Sequence, residues 1–128
     1  MNYTLTGTLS EGYLRIQIEG EWPREKPEDI INGIRGLSAQ HSDLTLLIDI
    51  RNMGSSESVA GDYYEARLFQ DAGFWKFGMI AVLDNLNRKE ANNFFETTAH
   101  NRGLRFRFFY ADEQEAINWL LSKEQDQA

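Results

Sequence analysis

The chain has 128 residues, a length typical of one domain, with 41% hydrophobic and 26% charged residues. This composition excludes a disordered, fibrous or collagen-like chain. Because the sequence contains no cysteine, disulfide scaffolds, thiolate zinc sites and cysteine nucleophiles are also excluded. We expect a single domain over residues 1–122, followed by a polar tail over residues 123–128.

The formal net charge of −7 at pH 7 opposes binding to phosphate backbones and anionic membranes. Arg105 and Arg107 alternate with phenylalanines near the end of the chain, a pattern also found in platforms for single-stranded nucleic acid. The net charge argues against that function, and arginines on an edge strand commonly protect against aggregation. We therefore expect no nucleic-acid partner.

The sequence shows no targeting or membrane signal. Its start has neither a basic region nor an apolar stretch of the secretory type, and no apolar run approaches the roughly 20 residues that span a bilayer. We expect a cytoplasmic protein with no integral membrane segment.

The first predicted element is a β-hairpin. Leu5, Gly7 and Leu9 alternate with threonines, and apolar residues alternate with polar ones again over residues 14–18. A glycine-containing turn joins the two runs, and period-two alternation is typical of strands with one buried face. Residues 27–39 follow as an amphipathic helix, with Pro27 in its first turn.

Buried strands and helices then alternate along the chain. Residues 44–50 and 75–83 are apolar runs typical of strands covered on both faces, and residues 59–72 between them form a second helix. A third helix is predicted to begin with Asn87 as its cap, to turn Ala91, Phe94, Phe95 and Thr98 inward, and to end at Gly103. Residues 104–110 form the last strand, and Asp112 caps a final helix.

The resulting order, ββαβαβαβα, predicts an α/β fold with a mixed, mainly parallel five-stranded sheet, an antiparallel hairpin at its N-terminal edge and four helices. This order resembles the STAS fold and is similar to stand-alone bacterial SpoIIAA-like proteins, which share their architecture with CRAL-TRIO lipid-binding domains. The resemblance covers about residues 3–122 and is carried by residues 14–21, 46–51, 81–84 and 109–120.

The resemblance implies a phosphorylation site at the start of the second helix. Anti-sigma-factor antagonists of this family carry Asp-Ser-Ser-Gly there, but counting from Asp49 places Val59 on the usual phosphoacceptor. The motif is therefore altered, and the candidate acceptors are Ser58, Ser55 and Ser56. A helix N-terminus stabilises an added phosphate, although a serine before a helix is more often an ordinary N-cap.

Catalytic candidates are few. Glu96 and His100 lie four residues apart on one helix face, a spacing that suits two metal ligands or a surface ion pair, and no third ligand is near. Asp62 and Glu65 are best explained as a solvated helix face. We expect no catalytic residue, metal or cofactor, and a metal-dependent hydrolase is the least favoured alternative.

Clustered aromatic residues are the more informative feature. We expect part of this set to line an apolar cleft between the second and third helices, with ordinary core packing as the alternative: Tyr63, Tyr64, Phe74, Trp75, Phe94 and Phe95. The predicted function is a non-catalytic module that binds a small apolar or lipid-like ligand or a regulatory protein. A phosphoregulated switch is the alternative, and a symmetrical homodimer through the hairpin edge or the Tyr63–Tyr64 region is also expected.

Overall fold

The computed structural model describes residues 3–22, 26–39, 45–53, 63–110 and 112–122, without the side chains of residues 63–65 and 75. Its strands are β1 (Tyr3–Ser10), β2 (Tyr13–Gly20), β3 (Thr45–Met53), β4 (Ile80–Leu83) and β5 (Phe106–Phe109). Its α-helices are α1 (Pro27–Ser38), α2 (Tyr63–Asp71), α3 (Lys89–Asn101) and α4 (Glu113–Leu121). Two short 3-10 helices, Phe74–Lys76 and Leu86–Arg88, precede β4 and α3.

The five strands lie side by side in their order along the chain. β1 and β2 pair antiparallel, whereas β2 to β5 pair parallel, so β1 and β5 form the two edges of the sheet. The connections from β2 to β3, from β3 to β4 and from β4 to β5 all move in the same direction across the sheet. When such crossovers have the preferred right hand, the helices they contain lie on the same face of the sheet. The expected mixed α/β sheet with an antiparallel hairpin is confirmed.

A larger core lies between the sheet and the helices α1, α2 and α3. Alternate strand residues such as Ile16, Ile48 and Val82 meet Ile34 of α1 and Phe95 of α3 there. A smaller core on the opposite face joins α4 to the odd-numbered residues of the central strands, such as Leu47 and Ala81. Among the described helices, α4 is the one that packs on this face of the sheet.

The predicted strand over residues 75–83 is too long at its start, because β4 begins only at Ile80. Phe74 begins the 3-10 helix after Gly73, which has a φ of 87°, and Phe77 directly follows the helix. Residues three apart in such a turn project to the same side, so both phenylalanine rings enter the core and lie 5.5 Å apart. The sequence pattern of this segment therefore resembles that of a buried strand, although the segment forms a 3-10 turn.

The predicted start of the third helix is also wrong. Asn87 lies inside the 3-10 helix, and α3 begins at Lys89 with no side-chain cap. The buried face of α3 contains Asn92, Phe95 and Ala99. Phe94 is rotated by about 100° from Phe95 and is 56% exposed rather than turned inward.

The final helix begins as predicted. Asp112 accepts a hydrogen bond from the backbone N–H of Gln114 at 2.9 Å. Of the expected apolar stripe, Ala116 and Leu120 are buried, whereas Leu121 is 46% exposed. Within the described residues, none of the helices has the length and apolar character that crossing a membrane requires.

Candidate functional site

A buried polar network lies at the carboxyl end of β4, where the chain turns into α3. The carboxylate of Asp84 accepts hydrogen bonds from the backbone N–H of Asn85 at 2.7 Å, from the Asn92 side chain at 2.8 Å and from the Arg88 guanidinium. The side chains of Asp84, Arg88 and Asn92 are all buried. A buried carboxylate bonded in this way is compensated for its loss of water.

The same network joins β3 to the start of α3. Arg88 donates through Nη2 to the carbonyl oxygen of Met53 at 2.7 Å, and Asn85 donates to the carbonyl oxygen of Arg51 at 2.8 Å. Met53 is the last residue of β3, so the carboxyl ends of β3 and β4 are held together by side chains as well as by the sheet. Crevices at the carboxyl ends of parallel strands are the usual location of binding sites in open α/β sheets.

Tyr110 borders this network from the end of β5. Its hydroxyl and the Oδ1 atom of Asn92 are both buried, and neither forms a hydrogen bond of good geometry with another described residue. Burial raises the pKa of Tyr110, the charges of Asp84 and Glu96 raise it further, and the Asn92 amide only partly opposes the shift. Tyr110 is therefore a neutral phenol at physiological pH and is not positioned as a general base.

A second polar network lies on the opposite face of the sheet, where α4 begins. Arg15 donates to Asp49 at 2.7 Å and to Glu113 at 2.9 Å, and Arg51 donates to Asp49 at 2.9 Å and to Glu113 at 3.2 Å. The Asp49 side chain is only 3% exposed, whereas the side chains of Arg15, Arg51 and Glu113 are partly exposed. Two cations and two anions thus neutralise one another between β2, β3 and α4.

Both carboxyl groups of this second network are held in their charged form. Burial alone would raise the pKa of Asp49, but the hydrogen bonds from Arg51 and Arg15 outweigh burial and lower it. The hydrogen bond from Arg15 lowers the pKa of Glu113. Neither carboxyl group is therefore poised to donate or accept a proton near neutral pH.

The structure separates the aromatic residues that the sequence groups together. Phe74 and Phe95 lie in the larger core, where Phe69 contacts them with ring centroids 4.9 and 5.9 Å away. Phe94 lies on the surface of α3. Tyr63 and Tyr64 belong to the first turn of α2 and Trp75 to a 3-10 helix, but their side chains are outside the described residues, as are Ser55, Ser56 and Ser58.

The larger core contains an apolar cavity of about 30 Å³ under α1, α2 and α3. Its lining includes Ile34, Phe69 and Phe95 from these helices, and all its described lining residues are hydrophobic. For comparison, an apolar cavity known to bind benzene has a volume of roughly 150 Å³. The cavity in this core is therefore too small for a lipid-like molecule unless the helices move apart.

Glu96 and Arg107 make internal contacts, whereas His100 lies on the surface. Glu96 accepts a hydrogen bond from the backbone N–H of Phe108 at 3.3 Å, while His100 is exposed at the end of α3. The guanidinium of Arg107 lies 5.3 Å from the Phe109 ring and 5.8 Å from the Trp119 ring. Among the described residues, no group of three side chains suits a metal ion.

Comparisons with known proteins identify the fold. The chain superimposes on an anti-sigma factor antagonist from Mycobacterium paratuberculosis with a TM-score of 0.58 at 13% identity, covering 93% of this chain and 94% of that one. An uncharacterized protein with a SpoIIAA-like fold from Shewanella loihica gives a TM-score of 0.60 at 18% identity, again covering 93% and 94% of the two chains. The protein has the STAS/SpoIIAA-like fold, as the sequence predicts. No family model and no curated protein sequence matches the chain.

Proposed function

We propose that this chain is a non-catalytic, cytoplasmic module that binds a regulatory protein through the carboxyl edge of its parallel strands. The observation that carries the proposal is the exposure of two large apolar side chains beside a rigid polar network. Leu86 is 65% exposed and Phe94 is 56% exposed, and both belong to the segment that Arg88 and Asp84 fasten to the sheet. Exposed apolar groups on a preorganised support are typical of the centre of a protein interface.

The charge of the neighbouring surface indicates the character of the partner. Glu90 lies four residues before Phe94 in α3, so the two exposed side chains share one helix face. The whole chain carries a net charge of −7. Exposed Lys89 lies next to Glu90, so the local charge is balanced and only the net charge of the whole chain favours a basic partner, which the negative field would attract over a distance.

A protein partner is favoured over a lipid-like ligand by the size of the cavity. About 30 Å³ of apolar space in the larger core leaves no room for such a ligand without opening the core. One structural neighbour is an anti-sigma factor antagonist, a protein that acts against another protein. The likeness to that neighbour supports a regulatory role for this chain. The charged groups of both polar networks form internal ion pairs.

The proposal is tested by partner capture with a matched control. Immobilised wild-type protein, the double variant Leu86→Ser/Phe94→Ser and the control Leu121→Ser are exposed to lysate of the source organism, and bound proteins are quantified by mass spectrometry. Leu121 is a comparable exposed side chain on α4, far along the chain from α3. We expect one protein to bind the wild type and the control but not the double variant.

The captured protein is then purified and titrated. Truncating two central apolar contacts should weaken its Kd by more than about tenfold, with the control within about twofold. Equal affinity for the double variant and the wild type would contradict the proposed surface. A wild-type protein that binds nothing in a variant-dependent way would contradict the proposed function.

Phosphorylation at Ser58, Ser55 or Ser56 stays a prediction, and one feature of the described residues favours it. Arg88 fixes Met53, so the chain leaves the sheet next to the proposed surface just before the three serines. A phosphate on one of these serines would add negative charge to the chain and change its affinity for a charged partner. An intact mass increased by one phosphate in protein from the source organism would support this regulation, and an unmodified mass under conditions that activate the partner would contradict it.

A further inference from the structure

The two edges of the sheet differ in how they are protected. The edge strand β5 has four residues, contains Arg107 and directly follows Arg105, and the Glu96 side chain of α3 accepts a hydrogen bond from one of its backbone N–H groups. Short length, charged neighbours and a covering side chain are the usual means by which proteins prevent edge-to-edge pairing. The edge at β5 is therefore closed to another strand.

The edge strand β1 has none of these protections. It extends over eight residues, Tyr3–Ser10, and contains neither a charged residue nor a proline. Among the described strands, β1 pairs with β2 on one side and with no strand on the other. A long, uncharged edge strand is a template for pairing with another strand.

The hairpin geometry identifies which backbone groups of β1 face outward. Ser10 and Tyr13 flank a two-residue turn, so they exchange both hydrogen bonds, and the bonded positions then alternate along β1. Thr8, Thr6 and Thr4 therefore point their N–H and C=O groups toward β2. The groups of the other residues of the strand point toward solvent: Tyr3, Leu5, Gly7 and Leu9.

The side chains on the α1 side of β1 interlock with the helix and leave an apolar margin. A Cβ atom on Gly33 would overlap the Leu5 side chain, so Gly33 makes room for this leucine, whereas a Cβ atom on Gly7 would lie at an ordinary contact distance of 3.7 Å from Leu37. Leu9 remains 58% exposed and Leu37 37% exposed. Two of the exposed large hydrophobic residues of the structure thus border the unpaired edge.

We propose that β1 is the interface of a two-fold symmetric dimer in which two copies of this chain form one continuous sheet. A two-fold axis repeats every charge of the strand on the facing strand of the other copy, so like charges on β1 would lie close together across the interface. β1 carries no charge although the whole chain carries −7, which makes it the strip on which a second copy meets least repulsion. The uncharged strand and its apolar margin therefore favour a second copy over a charged partner.

The outward-facing residues determine the register. We place the two-fold axis at Thr6, so that the two β1 strands run antiparallel. Each outward-facing residue then forms a hydrogen-bonded pair with an outward-facing residue of the other copy: Leu5 pairs with Gly7, and Tyr3 pairs with Leu9. Each large side chain then meets a small or aromatic one, and Leu9 becomes covered. Thr6 meets the Thr6 of the other copy on the face away from α1, where its side chain is exposed in the single chain.

This register is tested with charge variants at Thr6. Because the Thr6 side chain is exposed and faces away from α1, Thr6→Glu and Thr6→Lys should both fold, which circular dichroism checks. Sedimentation velocity should show the wild type as a concentration-dependent dimer. Each variant alone should dimerise about fivefold to tenfold more weakly, since like charges oppose each other across the axis.

Mixing the two variants provides the decisive comparison. An equimolar mixture of Thr6→Glu and Thr6→Lys should recover dimers at least as stable as the wild type, because opposite charges then face each other. Thr97→Glu and Thr97→Lys are the controls, since Thr97 is an exposed threonine on α3. These controls should behave like the wild type alone and when mixed.

Several results would overturn the proposal. They are a wild type that stays monomeric up to about 100 µM, a dimer that Thr6→Glu leaves unchanged, and a mixture no stronger than either variant. Binding of a foreign protein at β1 in place of a second copy would also contradict it. Since the proposed regulatory partner binds at Leu86 and Phe94, the Thr6 variants should still capture it, and the two proposals can fail separately.

Discussion

The two polar networks of this protein use the same chemistry in different surroundings. Asp84 and Arg88 are buried on the side of α1, α2 and α3, whereas Asp49 binds two arginines that reach solvent on the side of α4. Removing one partner from a buried ion pair leaves an uncompensated charge, but a partner that reaches water can be rehydrated. Similar hydrogen-bond distances in the two networks therefore do not imply similar contributions to stability.

The comparison also bears on function. In each network, carboxylates of the described residues are bonded to guanidinium groups that also hold neighbouring strands or helices in place. Such carboxylates have a structural role, because their ion pairs connect one element of the fold to another. This arrangement agrees with the proposed non-catalytic role.

The largest expected effect is that of Arg88→Met. The substitution keeps much of the side-chain volume but leaves the Asp84 carboxylate buried with one strong donor fewer and the Met53 carbonyl without its side-chain donor. We expect a loss of about 3–5 kcal/mol in the free energy of unfolding, measured by urea denaturation. A loss below about 1 kcal/mol would show that the buried network contributes little to holding α3 against the carboxyl ends of β3 and β4.

A smaller loss is expected for Asp49→Asn in the other network. The amide cannot accept charge-assisted hydrogen bonds from both Arg15 and Arg51, but those side chains can turn toward water. We expect a loss of about 1–2 kcal/mol in the same measurement. A loss equal to that of Arg88→Met would remove the distinction between the two networks.

The α4-side network should also make stability depend on pH in the acid range. The pKa values of Asp49 and Glu113 are lower in the folded protein than usual. Their stabilising contribution is therefore complete above the unfolded pKa of about 4 and is lost as the pH falls through the folded values. Urea midpoints measured from pH 6 down to pH 3 should fall less steeply for Asp49→Asn than for the wild type, whereas parallel curves would contradict this assignment.

The smallest effect is expected for Glu113→Gln. Glu113 is about one-third exposed, and its ion pairs with Arg15 and Arg51 lie at the solvent boundary at the start of α4. Since pairs in such surroundings contribute little, we expect a loss of about 0.5 kcal/mol in urea denaturation. A loss above about 2 kcal/mol would show that Glu113 stabilises the fold as strongly as a buried ion-pair partner does.

The fold could be predicted from the sequence because the spacing of apolar residues identified most strands and helices, and their order along the chain indicated the sheet. Period-two alternation identified the β1–β2 hairpin, and continuous apolar runs identified β3 and the end of β4. The start of β4 was missed because Phe74 and Phe77 enter the core from a 3-10 turn. Apolar content alone does not separate such a turn from a strand.

The polar networks could be predicted only in part. Asp84, Arg88 and Asn92 follow one another at intervals of four residues, a signal that a search for polar side chains on one helix face would detect. In contrast, Arg15 meets Asp49 and Glu113 across separations of 34 and 98 residues. Contacts of that kind depend on the pairing of β2 with β3 and on the position of α4, which local patterns do not specify.

Native mass spectrometry of protein purified from its source organism, followed by the same sample denatured, tests the central claim most directly. The claim is that this fold acts by binding a protein rather than by carrying a small molecule in its core. The account predicts a native mass without any small-molecule adduct. An adduct of a few hundred daltons that disappears on denaturation would contradict the account, because the core would then have to open around a ligand.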